Sequence, residues 1–204
     1  MSAYQSDLEI LRAEIAAAAA RMIAEDGCDY STAKRKAARQ ILGDAKTSSG
    51  ILPDNAQIEE EVRLYNELVL GESQPARLLH LRKLALRLME QLVQFNPYLT
   101  GAVLNGTAGE HSDIHLQLFC DNGKDVAIYL INKNVNFETS ETTHFSDRNK
   151  SVETLSFMWQ NEGVHLALYE IDDMRGALKA GADRRQERAN TDTIRNILSE
   201  NIPS

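Results

Sequence analysis

Up to Phe95 the apolar side chains recur every three or four positions, and beyond Asn96-Pro97 they recur every second one, a change from helical to strand period. The first half predicts four helices. "DLEILRAEIAAAAARMIAED" (7–26) consists of strong helix formers and stops at Gly27. "STAKRKAARQILG" (31–43) starts on Ser31 as its capping residue and stops at Gly43. Residues 44–53 have the Ser, Gly and Pro content of a loop. "DNAQIEEEVRLYNELVL" (54–70) aligns Ile58, Val62, Tyr65 and Val69 on one face, with its acids at the end favoured by the helix dipole. The fourth helix (73–95) carries two stripes, Leu78, Leu81, Leu84, Leu88 and Leu92, and Leu79, Leu86, Met89 and Val93. A helix apolar on two sides packs between layers, so it is expected to bridge the helical half and a sheet.

In the second half, 100–105, 112–119, 153–160 and 164–170 alternate or have strand composition. "NEG" (161–163) predicts a hairpin with Gly163 at a left-handed position. Residues 123–133 predict a helix, 136–145 an edge strand, and 172–180 the start of a short helix. Trp159 alternates with Leu155 and Phe157 and is expected in the core. The predicted class is α+β: about four helices over 1–96, a small mixed sheet with flanking helices over 97–180, and a polar, partly helical tail over 181–204.

Strand parity then locates candidate chemistry. With Ile114, Leu116 and Leu118 on the apolar face, His111, Asp113, His115 and Gln117 share the other. Val164, Leu166 and Leu168 likewise leave His165 opposite, so neighbouring strands would project Asp113, His115 and His165 from one side.

Gly106-Thr107 closing one strand, "SDIHL" (112–116) on the next and "VHLAL" (164–168) later together resemble the nucleotidyltransferase fold of polymerase-beta-like enzymes. That resemblance implies a phosphate-holding loop at Gly106 and Thr107, and a carboxylate triad binding two divalent metals. The first carboxylate falls on Asp113, while His115 and His165 stand where the second and third would be. The family usually has a longer gap, holding a helix turn, between its loop and its carboxylate strand. Two imidazoles are poor ligands for hard Mg²⁺ or Mn²⁺. The expectation is therefore a degenerate site, a pseudoenzyme with a binding or regulatory role; the alternative is an atypical metal-dependent transferase using Asp113 with Glu170, Asp172 or Asp173. His111-x-Asp113 with His144 or His165 also has the form of an Fe(II) triad, and the same donors suit Zn²⁺ or Ni²⁺; against both stands a plain polar sheet face. Over its whole length, through "KRKAARQ" (34–40), "PARL" (75–78) and "GTAGEHSD" (106–113), the chain also resembles a family of uncharacterised proteobacterial proteins.

Charge changes the list of partners. The chain carries 22 basic and 30 acidic residues for a net charge of −8, and residues 99–179, which hold the motif, contribute 6 basic against 12 acidic. Nucleic acid is disfavoured there, because phosphate binding requires cations. The basic cluster Lys34, Arg35, Lys36 and Arg39 leaves an RNA-associated role as an alternative, and a protein partner or a nucleotide as the main expectations. Cys28 and Cys120 form no metal or disulfide pattern. No secretory leader or apolar span is evident, so a cytoplasmic location without membrane contact is expected. The long helices could support a dimer.

Overall fold

A computed structural model describes residues 3–43, 51–71, 73–147, 149–177 and 187–200, with side chains from residue 7 onward. The protein is α+β, with N-terminal helices followed by a five-stranded mixed sheet and flanking helices. It divides into two compact units: Met1–Arg77 with Thr107–His111, and Leu78–Gly106 with Ser112–Ser204.

The first unit holds α1 (Ala3–Asp26), α2 (Tyr30–Leu42) and α3 (Asn55–Tyr65). Its core is Ile15, Ala16, Ala19 and Ala20 of α1, Ala33, Ala37 and Ala38 of α2, and Ile58 and Val62 of α3; alanines at the contact let helix axes approach closely. The cap of α2 is Asp29 rather than Ser31: its Oδ1 accepts from the Thr32 amide at 2.9 Å. Asp54 and Gln57 form a reciprocal capping box on α3. A π turn, Asn66–Leu70, extends α3. Its extra residue slips the face, so Asn66 is buried and the expected Val69 is 58% exposed.

In the second unit the strands are β1 (Pro97–Thr100), β2 (Ile114–Cys120), β3 (Glu138–Thr143), β4 (Ser151–Trp159) and β5 (Glu162–Glu170), ordered β1-β2-β5-β4-β3. Among the described residues only β2 and β5 pair in parallel. Helix α4 (Ser73–Gln91) contributes its residues from Leu78 on, with Leu81, Leu84, Ala85, Leu88 and Met89 buried. Its second stripe is weaker than its sequence: the helix stops at Gln91, a 3-10 turn over Val93–Phe95 changes the phase, and Val93 is 64% exposed while Phe95 is buried. The apolar sheet face (Leu99, Ile114, Leu116, Leu118, Leu155, Val164 and Leu166) is buried. On that side His80 of α4 meets Glu162 at 3.2 Å, and α6 (Gly123–Asn132) brings Gly123 against Leu168.

Three further expectations change. The strand expected over 100–105 is only its first residue: β1 ends at Thr100, Gly101 turns the chain at φ +71°, and α5 (Gly101–Asn105) follows. Arg82 holds that helix, its guanidinium donating to the carbonyls of Val103 and Leu104 at 3.0 and 2.9 Å. The β4–β5 hairpin turns through Gln160 and Asn161, both left-handed, between paired Trp159 and Glu162, while Gly163 lies within β5. Trp159, at the strand's end, is only half-buried. Beyond β5 come α7 (Met174–Ala177) and α8 (Thr191–Glu200). The rest of the predicted 172–180 helix, the loop residues 44–50 and the tail residues 181–186 and 201–204 lie outside the described residues. No described helix is long and apolar enough to cross a membrane.

Candidate functional site

The register pairs Thr100 with His115, His115 with His165, His165 with Ser156, and Ser156 with Glu138. Directly paired residues share a face, so one polar row crosses all five strands. Asp113, the residue immediately before β2 and two before His115, stands beside this row. The sequence therefore brings Asp113, His115 and His165 together as parity predicts. It does so because β2 and β5 pair residue for residue in parallel.

The contacts within the row are specific. Asp113 Oδ2 lies 3.0 Å from His165 Nε2, and Ser156 Oγ lies 2.8 Å from His165 Nδ1. A carboxylate only accepts, so Nε2 carries the proton, and in the neutral ring Nδ1 accepts from the Ser156 hydroxyl. The His115 and His165 rings stack, with centroids 4.7 Å apart and planes 20° from parallel. His115 is an exposed residue of β2, yet its pKa is pushed down to about 4. Desolvation of the charged ring is the main cause, with His165 adding to it and Asp113 opposing it. His115 is thus a neutral donor and acceptor at pH 7.

A titration of its ring resonances should accordingly have a midpoint near 4, and a midpoint near the ordinary histidine value would contradict this environment. The unfolded chain takes up this proton as pH falls through 6.5, the ordinary histidine value, whereas the native ring takes it up only near 4. The native state therefore loses stability on this account between those values and not above them. In His115→Gln the melting temperature should fall less steeply across that window.

Two glycines clear the space. A β-carbon at Gly163 would overlap the Asp113 carboxylate, with Oδ2 at 3.0 Å and the other atoms nearer; this close approach, not a turn, accounts for glycine there. At Gly101 a β-carbon would come to 4.0 Å from the His115 ring. Gly101, Ser156 and Gly163 are the neighbours that sequence reasoning missed. The parity of Ser156 against Leu155 and Phe157 was the available signal.

Other candidates lie elsewhere. Gly106 closes α5 at φ +90°. Thr107 is buried in the first unit, where its hydroxyl is 3.4 Å from the Tyr30 hydroxyl and its carbonyl accepts from Asn66 Nδ2 at 3.3 Å. His111 also folds with the first unit, its β-carbon against Gly27. His144 is buried beside Phe145 and Tyr169; its Nδ1 accepts from the Ser146 amide at 3.1 Å, and its Nε2 lies 3.2 Å from Asp173 Oδ2 but off the hydrogen-bond direction. Glu170 ends β5, seven residues along from Gly163, roughly 23 Å from Asp113 at strand rise. Glu170, and Asp172 and Asp173 beyond it, therefore do not join Asp113. Of the basic cluster, Lys34 donates to Asn55 Oδ1 at 3.2 Å, Arg35 to Thr32, and Lys36 to Cys28 Sγ at 3.9 Å, while Arg39 is exposed. Cys28 and Cys120 are not disulfide-bonded.

The row fits hard divalent metals badly. Its donor set is one carboxylate and two imidazoles, whereas Mg²⁺ and Mn²⁺ take oxygen ligands. Both ring nitrogens of His165 are already in hydrogen bonds. Among the described residues no group of three His, Cys, Asp or Glu side chains is placed to hold a metal ion.

Comparison with family models, with curated proteins and with solved structures gives no match.

Proposed function

We propose that the chain is a binding or regulatory protein of nucleotidyltransferase-like build, in which a hydrogen-bonded Asp113–His165–Ser156 line stands where a metal-dependent transfer centre would be. One observation carries this reading: the single carboxylate of the pattern is committed to an imidazole, Asp113 Oδ2 to His165 Nε2 at 3.0 Å. The local build supports it. Between β1 and β2 the chain makes a glycine turn at Gly101 and one short helix, α5, the helix turn that the family has between its loop and its carboxylate strand. Parallel pairing then sets His165 beside His115. Without a cation, the row recognises a ligand through neutral His115 and through the accepting lone pairs of the Thr100 and Ser156 hydroxyls, whose protons go to the His115 carbonyl and to His165 Nδ1, and it does not supply the charge stabilisation that nucleotidyl transfer requires.

The test is a set of thermal melts with each ribonucleoside triphosphate, in EDTA and in Mg²⁺ or Mn²⁺. A native-state site filled at 100 times its Kd adds about 2.7 kcal/mol, which is roughly 5–10 °C for a chain of this length. Any nucleotide response is expected to be the same in EDTA as in metal. A rise of that size that requires metal and disappears in Asp113→Ala would overturn the reading in favour of a transferase.

A further inference from the structure

The first unit contains a cavity of about 530 Å³, within the range of small-molecule sites. Helix α2 contributes Tyr30, Lys34, Arg35 and Ala38, and Leu52 and Asn55 come from the start of α3 and the segment before it. Ala38 is buried and Leu52 half-buried, giving the lining an apolar part. The Tyr30 hydroxyl and the Asn55 amide add neutral polar groups. Two cations, Lys34 and Arg35, supply the charge.

Among the described residues neither cation has a carboxylate within ion-pair distance. Lys34 Nζ rests on the neutral Asn55 Oδ1 at 3.2 Å, and Arg35 on the Thr32 hydroxyl at 3.4 Å. The nearby acids are turned to other work. Asp29 accepts from the Thr32 amide and Asp54 from the Gln57 amide, each capping its own helix, and neither lines the cavity; Asp29 also feels the charge of Arg35, which offsets part of that cation, while Lys34 has no such partner among the described residues. Because these caps already satisfy the helix N-termini, the helix ends add little. What remains is a concave, partly apolar site with two positive charges on a chain of net charge −8.

We propose that this cavity binds a small organic anion, a phosphate or carboxylate group attached to an apolar body, with Lys34 and Arg35 holding the anionic group and Ala38 and Leu52 contacting the apolar part. A nucleic acid is a poorer fit, since a polyanion needs a stripe of cations along its backbone. Lys36 and Arg39 do not extend the pair into such a stripe, because they do not line the cavity. This proposal is independent of the Asp113 row.

The experiment is an amide NMR titration of the full chain at low salt with phenyl phosphate, with phenylacetate, inorganic phosphate and phenol in parallel. Concentrations to about 10 mM fill a site of Kd ~1 mM to roughly nine-tenths. Saturable shifts are expected at Tyr30–Arg35 and Asn55 with phenyl phosphate or phenylacetate. Inorganic phosphate and phenol should each bind at least about fivefold more weakly, since each offers half of the recognition. Lys34→Gln and Arg35→Gln, each at an exposed or half-buried position, should weaken binding by about tenfold apiece with an unchanged amide spectrum elsewhere. The proposal is overturned if the wild type shows no saturable shift, if phenol matches the anions, or if both variants bind like wild type.

Discussion

Phe119→Ala is expected to destabilise the second unit by about 3–5 kcal/mol, the range for truncating a fully buried phenylalanine. Phe119 is 0% exposed. Its ring stands edge-on to Tyr98 at 5.6 Å and stacks on Tyr169 at 5.5 Å, and Val152 and Ala177 complete the cluster. The cavity left behind would be walled by side chains from three strands, which leaves little room for collapse. Phe119→Leu keeps most of the volume and should cost less than about 1.5 kcal/mol. Amide exchange in β2 and β5 is the suitable readout, because a chain of two units need not unfold in two states. Loss of less than about 1 kcal/mol of protection in Phe119→Ala would contradict this packing. Phe119 is four residues along β2 from His115, so the stacked histidine resonances should be retained in the leucine variant.

A second large effect is expected in the first unit, where Gly27→Ala should cost about 2–5 kcal/mol. Two costs combine there. Gly27 sits at φ +65°, which costs an L-residue about 1–2 kcal/mol. A β-carbon would also come to 2.8 Å from the His111 β-carbon and to 3.6 Å from its carbonyl oxygen. The near atom is the root of a side chain, not a flexible tip, so relief requires backbone movement, and overpacking of this kind costs about 1–3 kcal/mol. The double variant Gly27→Ala, His111→Gly removes the nearest atom and should recover part of the crowding, leaving the conformational cost. Protection of α1 and α2 amides measures both. If the double variant is no more stable than the single one, the crowding account fails.

The change of period at Asn96-Pro97 carried the fold class, because helices and strands bury side chains at different spacings and that spacing is written in the order of residues. Parity carried the Asp113, His115 and His165 grouping for the same reason, since a parallel in-phase pair preserves it. What failed depended on contacts made by distant parts of the chain. "TGAVLN" has strand composition, yet Gly101 breaks β1 and Arg82, from α4, clamps the carbonyls of the turn that follows. Val69 lay on the right stripe for an unbroken α-helix, and a π turn, invisible to a 3.6 period, put Asn66 there. Gly163 offered a turn residue to local reasoning, while its role is to make room for a carboxylate from another strand.

The parallel pairing of β2 with β5 also sets an order of assembly. The β4–β5 hairpin closes across two residues and can form early, since its loop entropy is small. Asp113 and His165, by contrast, are 52 positions apart, and nothing local brings them together. Their hydrogen bond awaits a long-range closure, the slow kind of step in sheet proteins. A chain emerging in sequence holds Asp113 and His115 well before His165 exists to meet them. An intact Asp113–His165 contact is therefore in effect a certificate that β2 has found β5.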